Sequence, residues 1–443
     1  MQFKQYPSYK PSGVEWLGDV PEHWRISSLK RYGYFKGGAG FPHAYQGNTE
    51  ENIPFFKVNS LSKDKRFLSS FSDFVGEETA KKLGAKIFPK NSIFFAKVGA
   101  ALLLERIRTN QQPCCIDNNM MGFVIQNELS FDFAFYLMSL IDFKYLVNPG
   151  AVPSINESQI SSFLISVPPI SEQTQIANYL DTETARIDNL ISKQEKLIEL
   201  LEEQRKSIIS HAVTKGLNPN APMKDSGVEW LGDVPEHWMT PSSKHLLEIP
   251  ITDGPHETPN FVDDGVPFIS AEAISKGKID FDKKRGYITP ELNAIYSKKY
   301  SPKIEDIYMV KSGATTGKVA MVETTEEFNI WSPLAVFRCN KNKVLPKFLL
   351  AVFNSSHFYD ALVLNWSYGT QQNIGMGVLS NIEIPCPPLK EQAEIIQHLD
   401  AQNTKFDKLI STQSQLIEKL KEYRSSIISH AVTGKIDVRE FVA

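Results

Sequence analysis

The stretch SGVEWLGDVPEHW fills residues 12–24 and returns letter for letter at 226–238. It carries two tryptophans, two glycines and a proline, and composition does not generate such a string twice. A chain with this duplication is built from two copies of one unit, and any fold it adopts must accommodate both. Two further markers agree. PPISEQTQIANYLD at 168–181 recurs as PPLKEQAEIIQHLD at 387–400, and SIISHAVT at 207–214 recurs at 426–433. Between the markers the match thins. NIPFFKV at 52–58 faces GVPFISA at 265–271, and NSIFFAKVGA at 91–100 faces EDIYMVKSGA at 305–314. The ends of the copies agree and the middles diverge, which predicts a common frame holding two different modules. The 443 residues also exceed what a single hydrophobic core normally serves.

Periodicity supplies the frame. Ile176, Leu180, Ile187, Leu190, Leu197, Leu201 and Ile208 are spaced near the heptad average, with Glu183, Gln194 and Gln204 as polar interruptions. Ile395, Leu399, Phe406, Leu409, Leu416, Leu420, Tyr423 and Ile427 repeat the pattern, broken by Gln402 and Gln413. Each segment predicts a helix of about 40 residues, roughly 60 Å long at 1.5 Å per residue. A Pro-Pro pair starts each, and Gly216 and Gly434 fit the stops. Two matching helices in one chain most simply pair with each other, and antiparallel pairing would hold the modules apart. The modules read as short strands (IPFFKV, NSIFFAKV, CIDNNMMGFVI, IYMVKSG, LAVFRC) with helical stretches at 131–147 and 345–364. The expected fold class is therefore α+β, with two α/β modules separated by two long antiparallel coiled-coil helices and an internal pseudo-twofold repeat. The boundaries fall at 1–165 for the first module, 166–216 for the central helix and spacer, 217–385 for the second module, and 386–443 for the C-terminal helix and tail.

Composition excludes several classes. No run of about 18 apolar residues exists, so a membrane span is not expected. The opening MQFKQYPSYK lacks the apolar stretch of a secretory signal, which predicts a cytoplasmic protein. Cys114, Cys115, Cys339 and Cys386 form no metal knuckle and read as reduced, buried thiols. The net charge of −3 is not the strong positive balance common in duplex-binding proteins. A nucleic-acid role must rest on local clusters, such as Lys63, Lys65 and Arg66 in the first module and Lys283 and Lys284 in the second. Ordinary solvated faces are the other reading of these clusters. The prolines of VPPI and CPPL lack the flanking Asn or Asp and the aromatic of an adenine-methyltransferase loop. SGATTGKV at 312–319 resembles a P-loop, but only three residues separate Gly313 from Gly317, and Val319 stands where a hydroxyl should follow Lys318. Such a turn could still hold a phosphate oxygen on backbone amides, or be purely structural. No catalytic residue, metal site or cofactor is expected.

The motif set resembles the DNA-specificity subunit of Type I restriction–modification systems. The residues that carry this are the GVEWLGDVPEHW openings, Asp253-Gly254-Pro255-His256, Lys311 to Lys318, Gly369-Thr370-Gln371-Gln372-Asn373-Ile374, the PPISEQ and PPLKEQ pair, and the SIISHAVT tails. The resemblance implies two target-recognition domains that each read half of a split double-stranded DNA site, with the long helices setting the spacing. It further implies a subunit without catalysis of its own, which recruits two methyltransferase subunits and motor–nuclease subunits. Lys311, Ser312, Thr315, Thr316, Gly317 and Lys318 are then candidates for the DNA backbone. Gln371, Gln372 and Asn373 are candidates for base or groove contact, with His256 beside them. The first module departs from the pattern, with FKGGAGFPHAYQG at 35–47 and GAVPSI at 150–155 in the places of ITDGPHETP and GTQQNI. The rival reading is a two-headed coiled-coil adaptor that binds protein.

Overall fold

A computed structural model describes residues 4–62, 66–69, 73–147, 152–275, 277–365, 367–368 and 372–441. The repeated markers meet one another in space. The Trp24 indole donates a 2.9 Å hydrogen bond to Glu172 Oε1, the Tyr6 hydroxyl donates to the same oxygen at 2.5 Å, and His23 Nε2 lies 2.8 Å from Oε2. In the second copy Trp238 donates to Glu391 at 3.1 Å and His237 Nε2 lies 2.7 Å from it. Both tryptophans are fully buried. A buried indole N–H must find an acceptor, and the glutamate of each PPxxEQ start supplies it.

The glutamine that follows does a second job. Gln173 Nε2 donates to the Pro168 and Glu128 carbonyls, and its Oε1 accepts from Ser130 N at 2.7 Å. Gln392 makes the matching set to Pro387, Lys343 and Leu345 N. Ser130 and Leu345 cap the modules' own helices, α1 (Phe131–Met138) and α3 (Pro346–Phe353). One Glu-Gln pair thus joins the opening motif, the module helix and the start of the long helix in each copy.

The long helices are α2 (Ile170–Lys215) and α4 (Leu389–Val432). Both stop at a glycine with left-handed φ, +75° at Gly216 and +74° at Gly434. At Gly434 a Cβ would also lie 2.4 Å from Pro21 Cδ, so the stop is packed as well as turned. Lys215 Nζ donates to the Asp233 and Leu231 carbonyls, and Lys435 Nζ to those of Asp19 and Leu17. Each helix end is thereby tied to an opening motif.

The chain divides into two compact units, Met1–Lys193 with Leu416–Ala443, and Gln194–Gln415. Both long helices contribute to both units, and they run antiparallel in each. In unit 1 Leu180 and Ile187 share a core with Ile427, Ile428 and Val432, and Arg424 pairs with Asp188 at 2.8 Å. In unit 2 Ala212 and Val213 share a core with Ile395 and Leu399, and Arg205 pairs with Asp407.

The covered face follows the expected seam at Ile176, Leu180, Ile187, Phe406, Leu420 and Ile427 and departs from it at four positions. Leu197, Leu409, Leu416 and Tyr423 are each more than a third exposed, while Ile417 is buried and Gln194 and Gln413 are half-buried. Gln194 and Gln413, read as polar interruptions of the seam, lie on the covered face, whereas Gln204 is exposed. The covered positions of α4 run Phe406, Ile410, Gln413, Ile417, Leu420, Arg424, a four-three spacing in which Ile410, Ile417 and Arg424 stand in place of Leu409, Leu416 and Tyr423.

The modules share one topology despite their thin sequence match. Unit 1 contains β1 (Gly33–Gly37), β2 (Ile53–Phe56), β3 (Ile93–Ala96), β4 (Arg108–Thr109), β5 (Cys115–Ile116) and β6 (Met120–Ile125), and one sheet has the order β1-β6-β3-β4. Unit 2 contains β7 (Thr252–Asp253), β8 (Val266–Ile269), β9 (Ile307–Val310), β10 (Val319–Met321), β11 (Asn329–Ile330) and β12 (Leu334–Phe337), with the order β7-β12-β9-β10. β2 pairs parallel with β5, as β8 does with β11. The register fixes equivalent positions. Met121 lies between Gly37 and Phe95, and Ala335 between Asp253 and Met309. Gly38 and Gly254 then occupy the same place, where a Cβ would lie 2.0 Å from a carbonyl oxygen, that of Asp117 or of Ile330.

The Glu172 clamp yields a test. Glu172→Ala orphans the Trp24 and Tyr6 donors, and each buried orphan costs roughly 1–3 kcal/mol. Glu172→Gln keeps an acceptor and should lose less. Urea denaturation followed by tryptophan fluorescence should rank wild type above Gln above Ala, and coincident midpoints would refute the clamp.

Candidate nucleic-acid interface

Unit 2 brings together segments that are far apart in sequence. The segment from Lys311 to Lys318 connects β9 to β10, and β13 (Gln372–Asn373) lies alongside it. Ser312 and Asn373 form an antiparallel bridge, Gly313 N donates to the Gln372 carbonyl at 3.1 Å, and Ile374 N donates to the Lys311 carbonyl at 2.8 Å. The two motifs expected to face DNA are thus backbone neighbours. Gln372 and Asn373 are exposed, as is Lys318. Gln371 lies outside the described residues.

The turn itself is not an open cradle of amides. The N–H groups of Lys311, Gly313, Thr316, Gly317 and Lys318 already donate to carbonyls, those of Pro333, Gln372, Gly313, Val310 and Thr315. The Thr316 side chain is buried and its hydroxyl donates to the Gly313 carbonyl at 2.6 Å. Thr316 therefore closes the turn instead of presenting a donor to a ligand. Gly313 and Gly317 have φ of +104° and +89°, a backbone that side chains resist. Ser312 and Thr315 are half-exposed, and Lys318 is the cation that the turn projects.

Beneath the turn lies a buried carboxylate. Asp253, at the end of β7, is 1% exposed. Its Oδ1 accepts from Lys299 Nζ at 2.6 Å. Its Oδ2 lies 3.1 Å from His256 Nε2 and 3.4 Å from Lys311 Nζ, though neither contact has hydrogen-bond geometry. Burial pushes this carboxyl up, but Lys299, Lys311 and His256 outweigh it and hold the pKa below the ordinary value. Lys311, with a largely covered side chain, is thereby held against a carboxylate that the sequence did not reveal. The Asp-Gly-Pro-His motif was the signal for this hub, since it places Asp253 and His256 three residues apart with their side chains in contact.

The remaining basic candidates fall elsewhere. Lys283 pairs with Asp280 at 2.9 Å, and Lys284 sits 4.9 Å from the centre of the Tyr287 ring. Lys63 and Lys65 lie outside the described residues. Arg66 pairs with Asp132 at 2.5 Å and with Asp181 of α2 at 3.1 Å, and stacks 4.6 Å over Phe135. Its charge joins the module to the long helix, so it is committed to the fold. Among the described residues no group of three or more His, Cys, Asp or Glu could hold a metal ion, and no helix is long and apolar enough to cross a membrane. All four cysteines are buried and unpaired, and burial pushes the Cys115 and Cys339 thiols up to about 12.

The Asp253 hub predicts a pH dependence. A carboxyl whose folded pKa is depressed stabilises above its unfolded value, about 3.9, and that contribution is lost as pH falls through the folded value. Asp253→Asn should therefore lower the melting temperature near pH 7, with the gap from wild type closing below about pH 4. A gap constant from pH 7 to pH 3 would argue against the ion cluster.

Comparison with known proteins places these features. The family described as the Type I restriction modification DNA specificity domain matches residues 21–200 and 235–422. The type I restriction enzyme MjaVIII specificity subunit of Methanocaldococcus jannaschii is 25% identical over 335 residues, covering 73% of this chain and 75% of that protein. The EcoBI specificity subunit of Escherichia coli is 20% identical over 433 residues, covering 96% and 88%. Two solved structures share the fold. A chain from a study of complex assembly and conformational transition of the type I R-M system has a TM-score of 0.68 at 16% identity, covering 93% of this chain and 98% of its own. The HsdS subunit from Thermoanaerobacter tengcongensis has a TM-score of 0.52 at 17% identity, covering 94% and 98%.

Proposed function

This chain belongs to the Type I restriction–modification DNA specificity family, and from that premise we propose that each of its two modules reads one half of a split duplex site. Sequence recognition is the chain's function, and it acts as a non-catalytic specificity subunit. A two-headed protein adaptor does not fit a chain matched twice by a DNA specificity domain. Its partners are double-stranded DNA, methyltransferase subunits, two in number, and motor–nuclease subunits. Its place of action is the cytoplasm.

The observation that carries the reading is the meeting of the Lys311–Lys318 turn with β13 in unit 2. Phosphate contacts fix register and carry no direct code, while Asn and Gln side chains suit base edges. The exposed Lys318 suits a phosphate. Gln372 and Asn373, one strand away, suit the groove, and Gln371 belongs to the same motif. Ser312 and Thr315 have hydroxyls that suit either. Lys283 and Lys284 add positive charge to the same module.

Two experiments test this. Exchanging residues 217–385 for the corresponding module of a relative should change one half of the methylated motif and leave the other, as read by methylation mapping of the genome. A change in both halves would refute the assignment of one module to one half-site. Lys318→Ala should weaken binding about equally across sequences and lower the log–log salt slope by roughly 1. A selective loss at one base position would instead make Lys318 a base reader.

A further inference from the structure

Unit 1 lacks the SGATTGK and GTQQNI motifs, yet the backbone there repeats their construction. Ile155 N donates to the Lys97 carbonyl at 3.0 Å, Gly99 N donates to the Pro153 carbonyl at 2.8 Å, and Val98 and Ser154 form an antiparallel bridge. These are the counterparts of the bonds from Ile374 N to Lys311, from Gly313 N to Gln372, and of the bridge between Ser312 and Asn373. Lys97 follows β3 as Lys311 follows β9. The strand register is equally strict, because Gly37 occupies the position of Asp253.

The two edges share a backbone and differ in charge. In unit 2 the lysine lies against a buried carboxylate, with its Nζ 3.4 Å from Asp253 Oδ2 and its side chain 13% exposed. In unit 1 the carboxylate is replaced by a glycine. A Cβ added at Gly37 would lie 2.8 Å from Lys97 Nζ, so the ammonium sits over the space that an aspartate would fill. The nearby Glu157 accepts from the Gly37 amide at 2.9 Å and lies 3.5 Å from Lys36 Nζ. His256, which also lies against Asp253, has Gly40 as its counterpart, three residues on from Gly37.

We propose that unit 1 contacts its DNA half-site through Lys97 and Ser154, with Lys97 on a phosphate and the Ser154 hydroxyl at the groove. This rests on the reading of each module as a half-site reader. Lys97 replaces Lys318 as the phosphate cation of its module, since the turn after Gly99 continues as Ala-Ala-Leu-Leu-Leu and brings no second lysine. Lys311 does not take that role in unit 2, because its side chain is largely covered against Asp253. A serine in the place of Asn373 reaches less far and donates one hydrogen where an amide donates two. The half-site read by unit 1 should accordingly tolerate more than one base at the position under Ser154.

The test uses the full chain with its methyltransferase partner. Binding to a duplex containing the methylated motif is measured against salt for wild type, Lys97→Ala and Lys311→Ala. The expected result is a slope reduced by roughly 1 for Lys97→Ala and an unchanged slope for Lys311→Ala. Equal slopes for Lys97→Ala and wild type would overturn the phosphate contact. Methylation mapping of Ser154→Ala, Ser154→Asn and Asn373→Ala supplies the second readout. Ser154→Asn is expected to sharpen one base position in one half-site and Ser154→Ala to relax it, with Asn373→Ala acting only on the other half. If Asn373→Ala shifts its half-site and both Ser154 variants leave the motif unchanged, the assignment of Ser154 falls and the general reading stands. If none of the three shifts the motif, the reading of both modules fails with it. Half-exposed Lys97 and Ser154 bear substitution without loss of core, and melting temperatures within a few degrees of wild type exclude unfolding as the cause.

Discussion

A carboxylate held between an indole, an imidazole and the start of a long helix is the contact on which each half of the molecule is assembled. Glu172 sits among Trp24, His23 and Tyr6, and Glu391 between Trp238 and His237. Glu172 is buried, and a charge that far from water is tolerable only with its acceptor capacity filled, whereas Glu391 keeps 26% of its side chain exposed. The opening motif, the helix start and the module must therefore be in place together, since each supplies donors that the others need. The adjacent glutamines extend the same logic to the caps of α1 and α3. This explains why the identical stretch appears twice, because each copy must satisfy the same carboxylate in the same geometry.

The frame leaves the modules free to differ where they face outward. β1 to β6 and β7 to β12 keep one strand order and one pair of close approaches, at Gly38 and Gly254. The charge carried on that scaffold is not kept. Asp253, Lys299, Lys311 and His256 form an ion cluster under the turn of unit 2, and glycine fills the place of the aspartate in unit 1. Backbone hydrogen bonds set the position of the turn and of the strand beside it, so side chains there can change without disturbing the sheet. That separation of scaffold from contact residues is what a pair of modules reading different half-sites requires.

The long helices combine apolar and polar contacts along one covered face. Gln194 and Gln413 are half-buried there, and Asp188 with Arg424 and Arg205 with Asp407 add charge pairs beside it. Such polar positions fix register at some cost in stability. The exposed Leu197, Leu409 and Leu416 lie off that face.

The duplication, the two long helices with their starts and stops, and the main strands were all legible in the amino-acid sequence. Each depends on local signals, namely exact repetition, near-heptad spacing, Pro-Pro before Glu-Gln, and glycine after the last turn. The family resemblance was legible for the same reason, because its motifs are contiguous strings. The helix seam was legible except at Leu197, Leu409, Leu416 and Tyr423, where the next residue is the covered one, since leucine content marks an amphipathic face only coarsely and a neighbouring helix decides which positions it covers. Which partners the candidate site residues have within the fold was decided by tertiary structure alone. Thr316 looks like a ligand hydroxyl and closes a turn, Arg66 looks like a DNA cation and ties a module to α2, and Lys311 looks free and lies against Asp253. In each case the deciding partner lies on a strand, a helix or a carbonyl brought close only by folding, and hydrogen bonds and ion pairs act over a few ångströms in space, whatever the separation along the chain.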